Sequence, residues 1–236
     1  MPARIALIHA LSVSMAPIEA AFARGWPEAR LAQLLDDALP ADLERAGGVD
    51  AAMERRFVAL TLIAVDAGAD AVLFTCSAFG RAIEVARDAV PVPVLKPNEA
   101  MVAQAVGHGG PVRLLATYAP TLASMRPEFE AEAARQGVAL DLRAVHVPGA
   151  LEALLAGDGE RHDELVLDAA RAAGGGADAL RDGVWALAQF SLARVAPRLR
   201  AFAGGPVLTT PDTAVAELRR RWVARVSPAK EPFRRR

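Results

Sequence analysis

Short apolar runs alternate with longer alanine-rich stretches along the whole chain, and this alternation restricts the fold more than any other feature. The apolar runs are Ile5 to Ile8, Ala71 to Phe74, Val92 to Leu95, Val112 to Ala116, Leu140 to Val147, Val184 to Ala188 and Val207 to Leu208. Helix-forming stretches lie between them: Ala16 to Ala23, Ala51 to Ala67, Ala82 to Ala89, Glu99 to Val106, Thr121 to Gln136, Glu160 to Ala173, Leu192 to Phe202 and Asp212 to Arg221. Strict alternation of this kind predicts an α/β fold with parallel sheets flanked by helices. A chain of 236 residues that is 53% hydrophobic has ample material for such a core.

The segments also repeat. Ser14-Met15-Ala16-Pro17 recurs as Ser124-Met125-Arg126-Pro127, an offset of 110 residues (124 less 14). Pro93-Val94-Leu95 recurs as Pro206-Val207-Leu208, an offset of 113 (206 less 93), and each is followed by a proline and then Asn98 or Asp212. Shared order and nearly shared spacing predict two pseudo-symmetric α/β halves, residues 1–108 and 109–218, with a segment exchange near the C-terminus possible and an active site in the cleft between them. Residues 219–236 form a basic tail, with eight basic side chains against Glu231. An exposed helix end and a poorly ordered terminus explain the tail better than nucleic-acid binding, because only Trp222 and Phe233 could serve for stacking.

The lone cysteine, Cys76, follows the run Ala71 to Phe74, where it breaks into Thr75-Cys76-Ser77. In open α/β sheets, loops at the carboxyl ends of strands form the ligand crevice, so Cys76 is placed where substrates bind. A helix starting just beyond it aims backbone N–H groups at the sulfur, which is expected to favour the thiolate. The offset of 113 carries Cys76 to Gln189 in the second half. The stretch Ala173 to Gly183, loop or helix, leaves that correspondence open to a one-residue slip. Where the first half offers a thiol, the second offers an amide, with Ser191 two residues on. Glutamine neither gives nor takes a proton near neutral pH.

Phe74-Thr75-Cys76-Ser77 at a strand end, Leu115-Ala116-Thr117 at another and the matched Pro-Val-Leu segments resemble the aspartate/glutamate/hydantoin racemase superfamily over about residues 4 to 218. The resemblance implies a cofactor-independent enzyme, of racemase, isomerase or decarboxylase type, that handles a proton or adds to an activated double bond beside a carboxylate or carbonyl. Its relatives include maleate isomerases and arylmalonate decarboxylases. It implies a catalytic Cys76 and substrate contacts from Ser14, Thr75, Ser77 and Thr117. Racemases of the superfamily carry a cysteine in each half, whereas this chain has Gln189 at the second position, so two-thiol racemisation is in question while one-cysteine chemistry stays open.

Any such reaction builds negative charge on oxygen and needs hydrogen-bond donors there. Thr75, Ser77, Thr117 and Tyr118, with Ser12 and Ser14 from the first loop and Ser191 from the second half, are the candidate shell, and the same residues are also suited to capping helices. His9, at the end of the first strand, is a further candidate to bind substrate or to replace the missing thiol.

Other chemistries lack their patterns. His108, His146 and His162 have no metal-ligand spacing, and neither HExxH nor CxxC occurs, so no metal and no cofactor is expected. The glycine clusters Gly107 to Gly110 and Gly174 to Gly176 read as turns, and no Gly-x-Ser-x-Gly elbow occurs. One cysteine excludes an intramolecular disulfide and fits the cytoplasm. His9, Ser12, Ser14 and Pro17 interrupt the N-terminal apolar run too early for a signal peptide, and no stretch reaches the roughly 20 residues of a membrane span. The partner that the resemblance implies is a small-molecule carboxylate; apolar helix surfaces in an alanine-rich chain lead us to expect a homo-oligomer, and neither nucleic acid nor membrane is expected. A small-carboxylate-binding protein that has lost catalysis is the alternative from another functional class.

Overall fold

The computed structural model describes residues 2–174 and 183–226. The expectations for Gly175, Gly176 and residues 227–236, including the outer part of the basic tail, lie outside the described residues.

The first half runs β1 (Arg4–His9), α1 (Met15–Gly25), β2 (Arg30–Leu35), α2 (Leu39–Ala46), α3 (Ala51–Asp66), β3 (Ala71–Phe74), α4 (Gly80–Asp88), β4 (Val94–Leu95) and α5 (Glu99–His108). The second repeats that order as β5 (Val112–Ala116), α6 (Ala119–Gln136), β6 (Leu142–His146), α7 (Ala150–Leu155), α8 (Gly159–Gly174), β7 (Val184–Leu187), α9 (Ala196–Arg200), β8 (Val207–Thr209) and α10 (Thr210–Val226). The four-stranded sheets have orders β2-β1-β3-β4 and β6-β5-β7-β8, and every pairing is parallel. The chain is thus α/β, with two sheets of matching topology flanked by helices.

Register supports one of the two repeats. Val72 N–H donates to Pro93 O, and Trp185 N–H donates to Pro206 O, so the Pro-Val-Leu segments are equivalent. The Ser-Met-x-Pro segments are not. Ser14 immediately precedes α1, whereas Ser124 is inside α6, its hydroxyl donating to Thr121 O. The residue that precedes α6 as Ser14 precedes α1 is Tyr118.

The expected central strands β3, β5 and β7 are buried along their whole length. Two expectations are shortened or split where prolines interrupt the backbone pattern. Pro91 and Pro93 leave β4 only Val94 and Leu95, and the stretch from Leu192 becomes a 3-10 turn (Phe190–Val195) before α9, whose first turn contains Pro197. Strand β2 and helices α2 and α7 are absent from the sequence-based assignment. The strand lies at a sheet edge with half-exposed residues, and the helices have eight and six residues, too few for a clear period. Gly47, at φ 71°, ends α2 in the left-handed region.

The last helix of each half covers the other half's sheet. Met101, Val102 and Ala105 of α5 pack with Leu114 of β5 and Ala186 of β7, while Ala214, Val215 and Leu218 of α10 pack with Ile5, Leu7 and Leu73. Glu99 ties this crossing together by pairing with both Arg87 of α4 and Arg221 of α10. Residues 219–226 continue α10, so Arg219, Arg220, Arg221 and Arg225 stand on a packed helix. Among the described residues no helix is long and apolar enough to cross a membrane.

Candidate active site

A cleft of about 320 Å³ opens where the carboxyl ends of β3 and β7 meet. Its lining includes Ser14, Thr75, Cys76, Ser77 and Phe79 from the first half, and Tyr118, Gln189 and Ser191 from the second. This is the crevice that open parallel sheets offer at their carboxyl edges, here formed by two sheets.

Cys76 and Gln189 occupy equivalent places. Each is the second residue after its strand, each is extended (φ −123°, ψ 124° and φ −132°, ψ 149°), and each immediately precedes a 3-10 turn. The thiol does not have the electrostatics expected from sequence. Burial pushes it above its ordinary range, and the Ala78 N–H at the sulfur offsets only part of that effect. That balance favours the neutral thiol over the thiolate.

Gln189 is oriented by its neighbour. The Thr117 N–H and hydroxyl donate to Gln189 Oε1 at 2.7 and 3.0 Å. Its oxygen is thereby occupied, and the amide NH₂, which has no hydrogen-bond partner among the described residues, is the group left for a ligand. Thr117 itself is buried behind Gln189 rather than in the lining.

The remaining expected residues divide. Ser14, Thr75, Ser77, Tyr118 and Ser191 line the cleft, and Ser12 is exposed outside it. His9 is fully buried and does not line the cleft, with Nδ1 2.9 Å from Thr75 Oγ1 and Nε2 2.5 Å from Gln33 Oε1. Burial holds its pKa below the ordinary histidine value, against the opposing effects of the Gln33 bond and the Glu19 charge.

Sequence reasoning missed the apolar half of the cleft. Pro40 and Leu43 of α2 and Leu151 and Leu155 of α7 line it, together with Leu11 and Val13. The short helices that left no periodic signal are therefore the ones that shape its mouth. Among the described lining residues Glu44 carries a charge and no Lys or Arg does. Among the described residues no group of three His, Cys, Asp or Glu is placed to hold a metal ion.

Residues 45–181 match the family described as Asp/Glu/Hydantoin racemase. No curated protein matches the chain. Among solved structures, allantoin racemase from Klebsiella pneumoniae superposes with a TM-score of 0.70 at 20% identity, covering 97% of this chain and 91% of that one. Glutamate racemase from Thermus thermophilus gives 0.68 at 21% identity, with 94% and 81% covered. A glycine-to-cysteine mutant of arylmalonate decarboxylase gives 0.58 at 16% identity, with 93% of each chain covered.

Proposed function

Because the chain belongs to the Asp/Glu/hydantoin racemase family, we propose that it is a racemase-like enzyme in which Cys76 delivers a proton to one face of a small acid or carbonyl compound held in the cleft. The observation that carries this is the pairing of a thiol with an amide at equivalent strand ends of the two halves, both lining one cleft.

Loss of CO₂ from a carbon that also bears a second carboxylate or a carbonyl leaves the electron pair of the broken C–C bond on that carbon, from which it spreads onto oxygen as an enediolate. The Gln189 NH₂ and the hydroxyls of Ser77 and Tyr118 are the donors for that charge. The S–H of Cys76 then gives its proton to carbon, a C–H bond forms, and the thiolate left behind regains a proton from solvent. Racemisation through two such groups needs a second one on the opposite face, and an amide cannot serve. His9 belongs to the same sheet as Cys76 and is turned toward Thr75 and Gln33, which argues against its serving that face. The single thiol, used as a proton donor, thus favours decarboxylase-type turnover. Burial of the thiol favours its use as an acid over its use as a thiolate adding to a double bond.

Proton NMR in D₂O tests this, with the protein and Cys76→Ala incubated with small α-substituted carboxylates, arylmalonates and maleate. The expected result is Cys76-dependent CO₂ loss with deuterium incorporated at the carbon that loses it. Compounds that bind both proteins while none reacts would make the chain a binding protein and overturn the proposal.

A further inference from the structure

Behind the first-half wall of the cleft runs a chain of polar side chains that the chemistry above leaves unused. Gln33 Nε2 donates to Glu19 Oε1 at 2.8 Å, Gln33 Oε1 lies 2.5 Å from His9 Nε2, and His9 Nδ1 lies 2.9 Å from Thr75 Oγ1. Its far end, Glu19, is exposed on α1, and its near end, Thr75, lines the cleft beside Cys76.

The direction of donation follows from what each group can do. An ionised carboxylate only accepts, so Gln33 must turn its NH₂ toward Glu19 and its carbonyl oxygen toward His9. An oxygen facing Nε2 requires that nitrogen to carry the ring hydrogen. The buried ring, whose pKa lies below its ordinary value, keeps one hydrogen at neutral pH, and Nδ1 is left with a lone pair. Thr75 must donate to it. Its other possible acceptor, Ile8 O, is a poorer one at 3.5 Å.

We propose that His9 is a positioning residue: held in its Nε2–H tautomer by Gln33 and Glu19, it draws the Thr75 hydroxyl hydrogen inward, so that the cleft meets Thr75 as a hydrogen-bond acceptor beside Cys76. Gln189 is set in the opposite sense, because Thr117 fills its oxygen and leaves its NH₂ as a donor. The two halves thereby present opposite polarity to whatever the cleft holds. The relevance of this to turnover rests on the cleft being the reaction site, but the relay itself is tested without any substrate.

The test is two-dimensional ¹H–¹⁵N correlation of ring nitrogens in histidine-labelled protein at neutral pH, with His9 assigned from the signals lost in His9→Gln. The wild type should show a protonated Nε2 and an unprotonated Nδ1. Glu19→Lys places a donor where the acceptor was, so the Gln33 amide should turn over and the His9 tautomer should invert to Nδ1–H. Thr75→Val should move the Nδ1 signal toward that of an unbonded nitrogen, and Thr75→Ser should restore it. A residue that merely packs would not show tautomer inversion from a change at the exposed Glu19. An Nδ1–H or doubly protonated His9 in the wild type would overturn the proposal. So would a folded Glu19→Lys variant that keeps the Nε2–H form. Failure of every compound in the D₂O panel leaves this result intact, so the two proposals fail separately.

Discussion

Gln189 combines two roles that substitution can separate. Its oxygen receives the N–H and hydroxyl of the buried Thr117 at 2.7 and 3.0 Å, and its NH₂ is the donor offered to the cleft. Gln189→Ala removes both. Leaving a buried donor without a partner costs about 1–3 kcal/mol. In a chain of this size that lowers Tm by roughly 2–4 °C for each kcal/mol. Gln189→Glu keeps an oxygen for Thr117 but replaces the NH₂ with an acceptor and adds negative charge where enediolate charge develops. Its stability should stay within about 1 kcal/mol of wild type, while turnover falls about 10²–10³-fold, the usual loss for one oxyanion donor. Urea unfolding and D₂O NMR on a reactive compound measure the two quantities. Full turnover in Gln189→Glu would refute the donor role, and unchanged stability in Gln189→Ala would refute the Thr117 anchor.

The raised pKa of the Cys76 thiol predicts slow alkylation by iodoacetamide at pH 7, with a rate that keeps climbing with pH beyond the ~8.5 of a free thiol instead of levelling off there. Since the protonated form does the work proposed here, activity should persist through that range and decline as the thiol ionises; a fast reaction at neutral pH would contradict this. Phe57 stacks on Phe74 at 5.0 Å and packs against Phe79 at 5.1 Å, in the cluster that also packs Cys76. Phe57→Ala should therefore cost about 3–5 kcal/mol in urea unfolding, and a loss under 1 kcal/mol would show that the cluster collapses around the gap.

The features most legible in sequence are those whose environment is uniform along a segment. Strands β3, β5 and β7 are covered on both faces, so β3 and β7 are unbroken apolar runs and β5 is one interrupted by the buried Arg113, and Cys76 is placed at a strand end because its run stops there. The equivalence of Cys76 and Gln189 was legible for the same reason, as the strands before them repeat at a constant spacing. Strand β2, with Gln33 among half-exposed neighbours, carries no such signature, and neither do α2 and α7, although these elements supply the relay and the apolar mouth of the cleft.

What tertiary structure alone decided is the state of the groups at the site. A thiol next to a helix start was expected to ionise readily, yet the balance between one N–H contact and desolvation depends on everything packed around the sulfur, and burial prevails. The pairing of β1 with β2 and β3 sets the buried His9 between Gln33 and Thr75, a placement that its position at the end of an apolar run does not reveal. Residue types and their order along the chain determined which groups reach the carboxyl ends of the strands. Their protonation and hydrogen-bond direction depend on partners 24 to 72 residues away in the chain, which only the folded packing brings within reach.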